Sequence, residues 1–480
     1  MTLDTGELAI VDSAIVERAG ELTPPFSVPA TAGTNAPALV RWWARLRADP
    51  ARMAAVRDSW RALWVSRLLV WVAGVGTVLC FGFGPVRNAF DPPGVTRGFG
   101  WLGDLLAAPA ARWDASWYLV IAHYGYRPEL GLVTSSRTAF FPLYPLGLHA
   151  LTLFGLAPVL AGVLLSVLAL ALALYGIHRL TALEIATGAR VSARPLQPGD
   201  VARLAVMVTA FTPMAFYFSA VYSESLYLAL SVGLFWSARQ GRWWAVGVLG
   251  ALAGATRSAG IVLLAPALLL YLYGPREDRA PDRPTARWLP RYRARRDLLW
   301  LTLVPVGLCL YMAYLGLAGG SALMPFRAQE VWYRTFAGPY VGVWDGMQAA
   351  WEGARQLLSL QRTHVYFTAA GGSPFVNAGH NLMLIVFLLA AVPALVGVLR
   401  RLPLAYGLYV LAALALPLSY PVSPQPLMSL PRFLVVLFPL GIWLAIWLAE
   451  HSRLQRPALV AMAVSLGFFV GEFATWHWVA

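Results

Sequence analysis

Residues 157–178 read APVLAGVLLSVLALALALYGIH, a run without a single Asp, Glu, Lys or Arg. As a helix it would be about 33 Å long, enough to cross the ~30 Å hydrocarbon core of a bilayer. Its apolar positions are continuous rather than alternating, which selects a helix over the strand of a membrane barrel. Runs of this kind recur from Trp64 onward, so the sequence predicts an all-α polytopic membrane protein. The composition agrees: 59% of the 480 residues are hydrophobic, only 12% are charged, and the mean hydropathy is +0.61. A soluble domain carries about 25% charged residues, so much of this surface must face lipid. Cys80 and Cys309 lie inside apolar runs and read as small core residues, silent about the redox compartment.

Spans are predicted near 62–84, 157–178, 203–221, 225–238, 243–256, 259–273, 298–318, 380–399, 403–420, 432–449 and 457–475, eleven in all. Residues 1–60 are expected to be a cytoplasmic tail, disordered where Thr, Pro and Ala dominate, and 61–480 the membrane domain. The first apolar run begins only near position 62, so no secretory signal peptide is expected. The stretch from Phe140 to Phe154 is apolar but interrupted by Pro142 and Pro145, and reads as re-entrant or interfacial. Were it a span, the count would be twelve.

Charge decides between the two counts. The net charge is +14, and every one of the 37 basic residues is Arg. In a soluble chain this would suggest a nucleic-acid partner; here the Arg gather in loops, as the positive-inside rule requires, and none is expected. With eleven spans and the N-terminus inside, the inner segments hold 25 Arg counted from Arg41 and the outer segments 11. Eight of the inner ones lie in 274–297, which reads as headgroup contact. A crossing at 140–154 would reverse the bias. Two long loops, 85–139 and 319–379, then lie outside. The Arg and Ala bias suggests a bacterial plasma membrane.

This topology gathers polar residues at the outer face. They are Arg112-Trp113-Asp114-Ala115-Ser116-Trp117-Tyr118, Ile121-Ala122-His123-Tyr124-Gly125-Tyr126, Phe140-Phe141-Pro142-Leu143-Tyr144-Pro145, Tyr222-Ser223-Glu224, Thr256-Arg257-Ser258 and Leu430-Pro431-Arg432-Phe433. An ionisable group at the edge of an apolar run is a functional hypothesis. The plain alternative is an interfacial aromatic belt with Arg reaching to headgroups.

The order and spacing of these blocks over 60–275 resemble the PIG-V family of mannosyltransferases, of the GT-C membrane glycosyltransferase superfamily. The resemblance includes Pro213 to Leu226 and Ala255 to Gly260, and continues more loosely through Pro374 to Asn381. It implies a GT-C-like fold with a long first outer loop. It also implies a lipid-phosphate-linked sugar donor and a catalytic acid in that loop, matched here by Asp114. PIG-V proper transfers mannose from dolichyl-phosphate mannose to a GPI precursor. A bacterial protein would use polyprenyl-phosphate mannose and an acceptor that the sequence leaves open among glycan, lipid and protein.

The residue types suit that chemistry independently. Inverting transfer needs a base for the acceptor hydroxyl, which Asp114 supplies. It also needs a cation for the departing phosphate, for which Arg257 and Arg432 are candidates. Trp113, His123, Tyr126, Tyr222 and Glu224 are candidates for orienting sugar hydroxyls or Arg257, with Asn377 and His380 behind them. The seven His show no HxxxH or HExxH spacing, and neither metal nor cofactor is expected. Two other readings remain. A secondary transporter would place ionisable groups near the midplane, whereas Arg67 and Glu472 fall near predicted span ends. A non-enzymatic component of glycan export would tolerate loss of Asp114.

Overall fold

The computed structural model describes residues 48–85, 92, 94–127, 136–188, 196–284, 289–363, 365 and 371–479. The chain divides into two compact units, Met1–Met53 and Ala54–Ala480. Most of the expected tail lies outside the described residues, and the helical body of the protein belongs to the second unit.

The described residues form helices and no strands. The first seven are α1 (Pro50–Phe81), α2 (Gly100–Ala107), α3 (Ala115–Tyr124), α4 (Leu143–Thr152), α5 (Pro158–Ala186), α6 (Pro198–Phe211) and α7 (Glu224–Arg239). Then come α8 (Trp243–Thr256), α9 (Leu264–Tyr273), α10 (Val306–Leu317), α11 (Met324–Val331) and α12 (Pro339–Ser359). The last are α13 (Pro374–Arg401), α14 (Leu404–Leu418), α15 (Leu430–Val435), α16 (Phe438–Glu450) and α17 (Ser452–Ala474). Four of these, α1, α5, α13 and α17, are long and apolar enough to cross a membrane. The 3₁₀ segment Arg296–Leu303 and α10, bent by 41° at a break that contains Pro305, pass the same test of length and apolarity when taken together, as a broken span or a re-entrant loop would. The chain is a multi-pass membrane protein.

Proline explains most departures from the predicted spans, because it removes a backbone donor and pushes the preceding residue out of helical conformation. The expected span 203–221 is α6 followed, past Pro213, by a 3₁₀ turn at Ala215–Phe218. The expected span 432–449 is split into α15 and α16 just before Pro439. The Pro-interrupted 140–154 stretch is helical as α4, which starts directly after Pro142.

Arg67 corrects an expectation. The apolar pattern places it near a span end, but α1 starts at Pro50, which puts Arg67 mid-helix and buried. Its guanidinium donates to Ala210 O at 3.2 Å, Ala215 O at 2.8 Å and Ser219 Oγ at 2.8 Å. The first of these carbonyls belongs to the last turn of α6, which the break leaves without a helical partner.

α7 is central. It packs against α5 and α8, and most of its residues are buried. Close approach to it uses glycine: a methyl group on Gly176 of α5 would come within 2.7 Å of Val232 on α7. Both ends of α7 are charged and buried, with Glu224 first and Arg239 last. This sign order complements the helix dipole.

Candidate active site

Two loops are stitched together ahead of the site. Val221 N donates to Ala110 O at 2.9 Å, and Tyr222 OH donates to Arg112 O at 3.0 Å. Tyr118 OH and Ser223 Oγ lie 2.9 Å apart. These bonds bring Asp114, which precedes α3, beside Glu224, which opens α7.

Trp113 adopts a left-handed backbone (φ 55°), a strain of roughly 1–3 kcal/mol for a bulky residue that its surroundings must offset. They do so with aromatic contacts. The Trp113 indole packs edge-on against Trp476 (5.7 Å) and Trp478 (5.1 Å), and its Nε1 donates to His477 O at 3.3 Å. Arg112 Nε donates to Ala474 O at 3.1 Å, and its guanidinium lies 4.8 Å over Trp476. The segment following α17 therefore fixes the residues that aim Asp114. The Asp114 carboxylate makes no capping bond to α3.

Arg432, the third residue of α15, donates instead to Asp114: Nη1 to Oδ2 at 2.5 Å. Its Nε donates to Glu224 Oε1, which also accepts from Arg257 Nη2 at 2.8 Å. Arg257 follows the last residue of α8, where the backbone is extended. Arg432 lies over the Tyr222 ring at 4.8 Å, a cation–π contact that adds to its anchoring. Side-chain exposures order the group: Glu224 0%, Arg432 8%, Arg257 12%, Asp114 16%. Glu224 is thus a buried tether, and Glu224 Oε2 has no partner among the described residues.

The three more exposed members, Asp114, Arg257 and Arg432, line a cavity of about 840 Å³. Much of the remaining wall is apolar, including Ile261, Leu308, Phe326, Val436 and Leu437. A volume of this size takes a drug-sized ligand. Asp114 can accept a proton, and the guanidiniums can grip an anion through charge-assisted hydrogen bonds. Among the described residues no three His, Cys, Asp or Glu side chains come together as a metal site would need.

The other sequence candidates are distributed unevenly. Trp113 lines the cavity, while Tyr222 and Glu224 stand behind it. His123, Tyr126, Asn377 and His380 do not line it. His123 is exposed at the end of α3. Tyr126 OH donates to Phe140 O at 2.7 Å, and burial pushes this phenol well above its ordinary pKa, so it remains a donor. His380 Nδ1 lies 3.2 Å from Gln425 Nε2.

Sequence reading missed Arg334 and Trp478, both of which line the cavity. Arg334 lies close enough to feel the charges of Asp114 and Arg432, and burial pulls its guanidinium down to about 10. A cation in a loop assigned to the Arg-poor side was the available signal. Trp478 gave none, being indistinguishable from an interfacial tryptophan.

Fold and site together define a multi-pass helical membrane protein whose cavity opens on a carboxylate held among arginines. Residues 101–272 match the family described as Mannosyltransferase (PIG-V), and over that segment the chain is PIG-V-like, as its motifs suggested. The chain is 34% identical over 182 residues to GPI alpha-1,6-mannosyltransferase 2 of Rattus norvegicus, covering 36% of this chain and 35% of the relative. Against GPI alpha-1,6-mannosyltransferase 2 of Mus musculus it is 35% identical over 159 residues, covering 32% and 30%. The chain thus spans about a third of the length of these curated relatives. The matched segment holds Asp114, Glu224 and Arg257 but stops short of Arg334, Arg432 and Trp478. No solved structure matches the chain.

Proposed function

We propose that this protein is a mannosyltransferase that uses polyprenyl-phosphate mannose and inverts the anomeric centre. The observation that carries the reading is the coincidence, in one largely apolar cavity, of one accessible carboxylate with three guanidiniums, Arg257, Arg334 and Arg432. In the proposed reaction the acceptor hydroxyl oxygen attacks the anomeric carbon and its proton passes to Asp114. The bond from that carbon to the phosphate oxygen breaks, and its electron pair leaves with the lipid phosphate. The arginines stabilise this growing negative charge; fixed cations in a water-poor site do so without reorganising. Glu224 acts one step back, holding Arg257 and Arg432 at their posts. The isoprenoid lies against the apolar wall. The distribution of Arg supports a cytoplasmic N-terminus and a site at the outer face of a bacterial plasma membrane.

The test is transfer by purified protein in liposomes given radiolabelled polyprenyl-phosphate mannose, with wild type compared to Asp114→Asn. Release or transfer of mannose by wild type alone, with both proteins folded, supports the reading. Turnover of a different polyprenyl-phosphate sugar keeps the donor class and changes the sugar. If no lipid-linked sugar reacts or binds, the reading fails.

A further inference from the structure

The sequence assigns residues 339–359 to an outer loop, yet α12 is a 21-residue helix with three distinct faces. At about 100° per residue, Tyr340, Trp344, Met347, Trp351 and Leu358 share one face, and all are exposed. Asp345, Gln348, Glu352 and Arg355 occupy a second, polar face. Gly342, Gly346, Ala350 and Gly353 make up the third, which is buried against the protein. On this third face the backbones come close. A methyl on Gly353 would lie 3.0 Å from Ala378 O, and one on Gly346 2.6 Å from Leu427. One on Gly342 would collide with Leu418 O.

Two of those contacts locate the helix. Ala378 is in the first two turns of α13, and Leu418 is the last residue of α14. Only Leu402 and Pro403 separate α13 from α14, so the two run back alongside each other. The start of α13 and the end of α14 therefore lie toward the same membrane boundary, and α12 packs there. A helix with one face on protein, one aromatic and one charged has three environments to satisfy. The boundary between lipid and water supplies the two that the protein does not. Exposed aromatics also connect α12 to the cavity: Tyr333 lines it, and Phe336 packs on Tyr420, another lining residue, at 5.6 Å.

We propose that α12 is a membrane-interface helix whose aromatic face is immersed among headgroups and upper acyl chains, and that it holds the cavity mouth at the lipid surface. A lipid-borne substrate then reaches the site sideways, without its chain leaving the bilayer. The placement of α12 stands alone; the delivery role rests on the function proposed above.

Spin labels test the placement in proteoliposomes. In a Cys80→Ala, Cys309→Ala background, labels are attached at Trp344→Cys, Met347→Cys, Gln348→Cys and Glu352→Cys. Oxygen should relax the labels at 344 and 347 more than a water-soluble nickel complex does, with the order reversed at 348 and 352. The same preference at all four positions, for either relaxant, overturns the proposal. Delivery is read from the double variant Trp344→Gln, Trp351→Gln. Its KM for polyprenyl-phosphate mannose in vesicles should rise severalfold, while turnover of a short-chain soluble analogue stays at the wild-type rate. An unchanged KM, or an equal loss with both substrates, overturns the delivery role. If wild type turns over neither substrate, the proposed function and the delivery role fall together, and the label pattern alone still decides where α12 lies.

Discussion

Helix α7 ends in a buried ion cluster at each terminus, about 24 Å apart along its axis. At the Arg239 end, Nε donates to Glu184 Oε1 at 2.6 Å, Nη1 to Glu277 Oε1 at 2.9 Å and Nη2 to Thr187 Oγ1 at 3.0 Å. Tyr406 OH adds a bond to Glu184 Oε1 at 2.7 Å. Every nitrogen of that guanidinium has a partner, and two carboxylates serve one arginine. At the Glu224 end the balance is opposite: Glu224 and Asp114 face Arg257 and Arg432, with Arg334 nearby. One carboxylate oxygen is unmatched, and the arginines reach into a cavity. Similar groups on one helix make a closed clamp in the first case. In the second they make a site with cations to spare, which an anion would complete.

The largest effect that could break this contrast is chemical. Asp114→Asn should lower mannosyl transfer by about 10²–10⁴-fold, the usual worth of a positioned base, with little change in Tm. A fully active Asp114→Asn protein would place the open cluster among structural devices. The second effect belongs to the clamp. Arg239→Met strands Glu184 in the interior, a loss of roughly 3–5 kcal/mol. It should appear as a lower Tm and yield, with the transfer rate per folded molecule retained. Third, Arg257→Ala removes the proposed charged partner of the donor phosphate, an interaction worth about 1.5–3 kcal/mol. A fall of roughly 10–150-fold in kcat/KM is expected, with a smaller drop in Tm than for Arg239→Met, since Arg432 still neutralises Glu224.

The smallest effect is the most selective. Among the described residues Arg334 has no carboxylate within ion-pair distance, and burial lowers its guanidinium to about 10. A base whose pKa is lowered on folding is charged against the preference of its surroundings, so at neutral pH its charge adds nothing to stability. That penalty fades as pH rises through the folded value. Arg334→Gln should therefore leave Tm undiminished while raising the donor KM modestly. In wild type, apparent donor affinity should fall as pH approaches 10, and Arg334→Gln should flatten that decline. Donor titrations at several alkaline pH values decide it.

Much of the open cluster was legible because charge inside an apolar chain must be justified. Asp114, Glu224, Arg257 and Arg432 stood out against their surroundings, and they converge. Their division of labour was not legible: only tertiary contact shows that Glu224 is sealed while Asp114 is reachable. Trp478 and Arg334 depend on segments brought in from more than 200 residues away in sequence, which local pattern does not report. The helical character of the chain followed from its apolar runs, as did α8 at its full length. The ends of α1, α6 and α16 did not, because proline and the buried guanidinium of Arg67 set them. Nor did the three faces of α12, since its polar third suppressed the hydropathy by which spans are found.

The two ends of α7 also differ in when their partners are made. Glu184 precedes Arg239 by 55 residues and Glu277 follows it by 38, so the clamp's ion pairs can form soon after α7 leaves the ribosome, with the Tyr406 bond added later. Arg257 follows Glu224 by 33 residues, but Arg432 follows by 208. At ~5–20 residues per second, that second partner arrives about 10–40 s later. During that interval α7 is moored at one end and carries an incompletely neutralised acid at the other. Membrane insertion thus assembles the scaffold first and the cavity last, and a nascent chain stopped before Arg432 would be held by its clamp yet have no finished site.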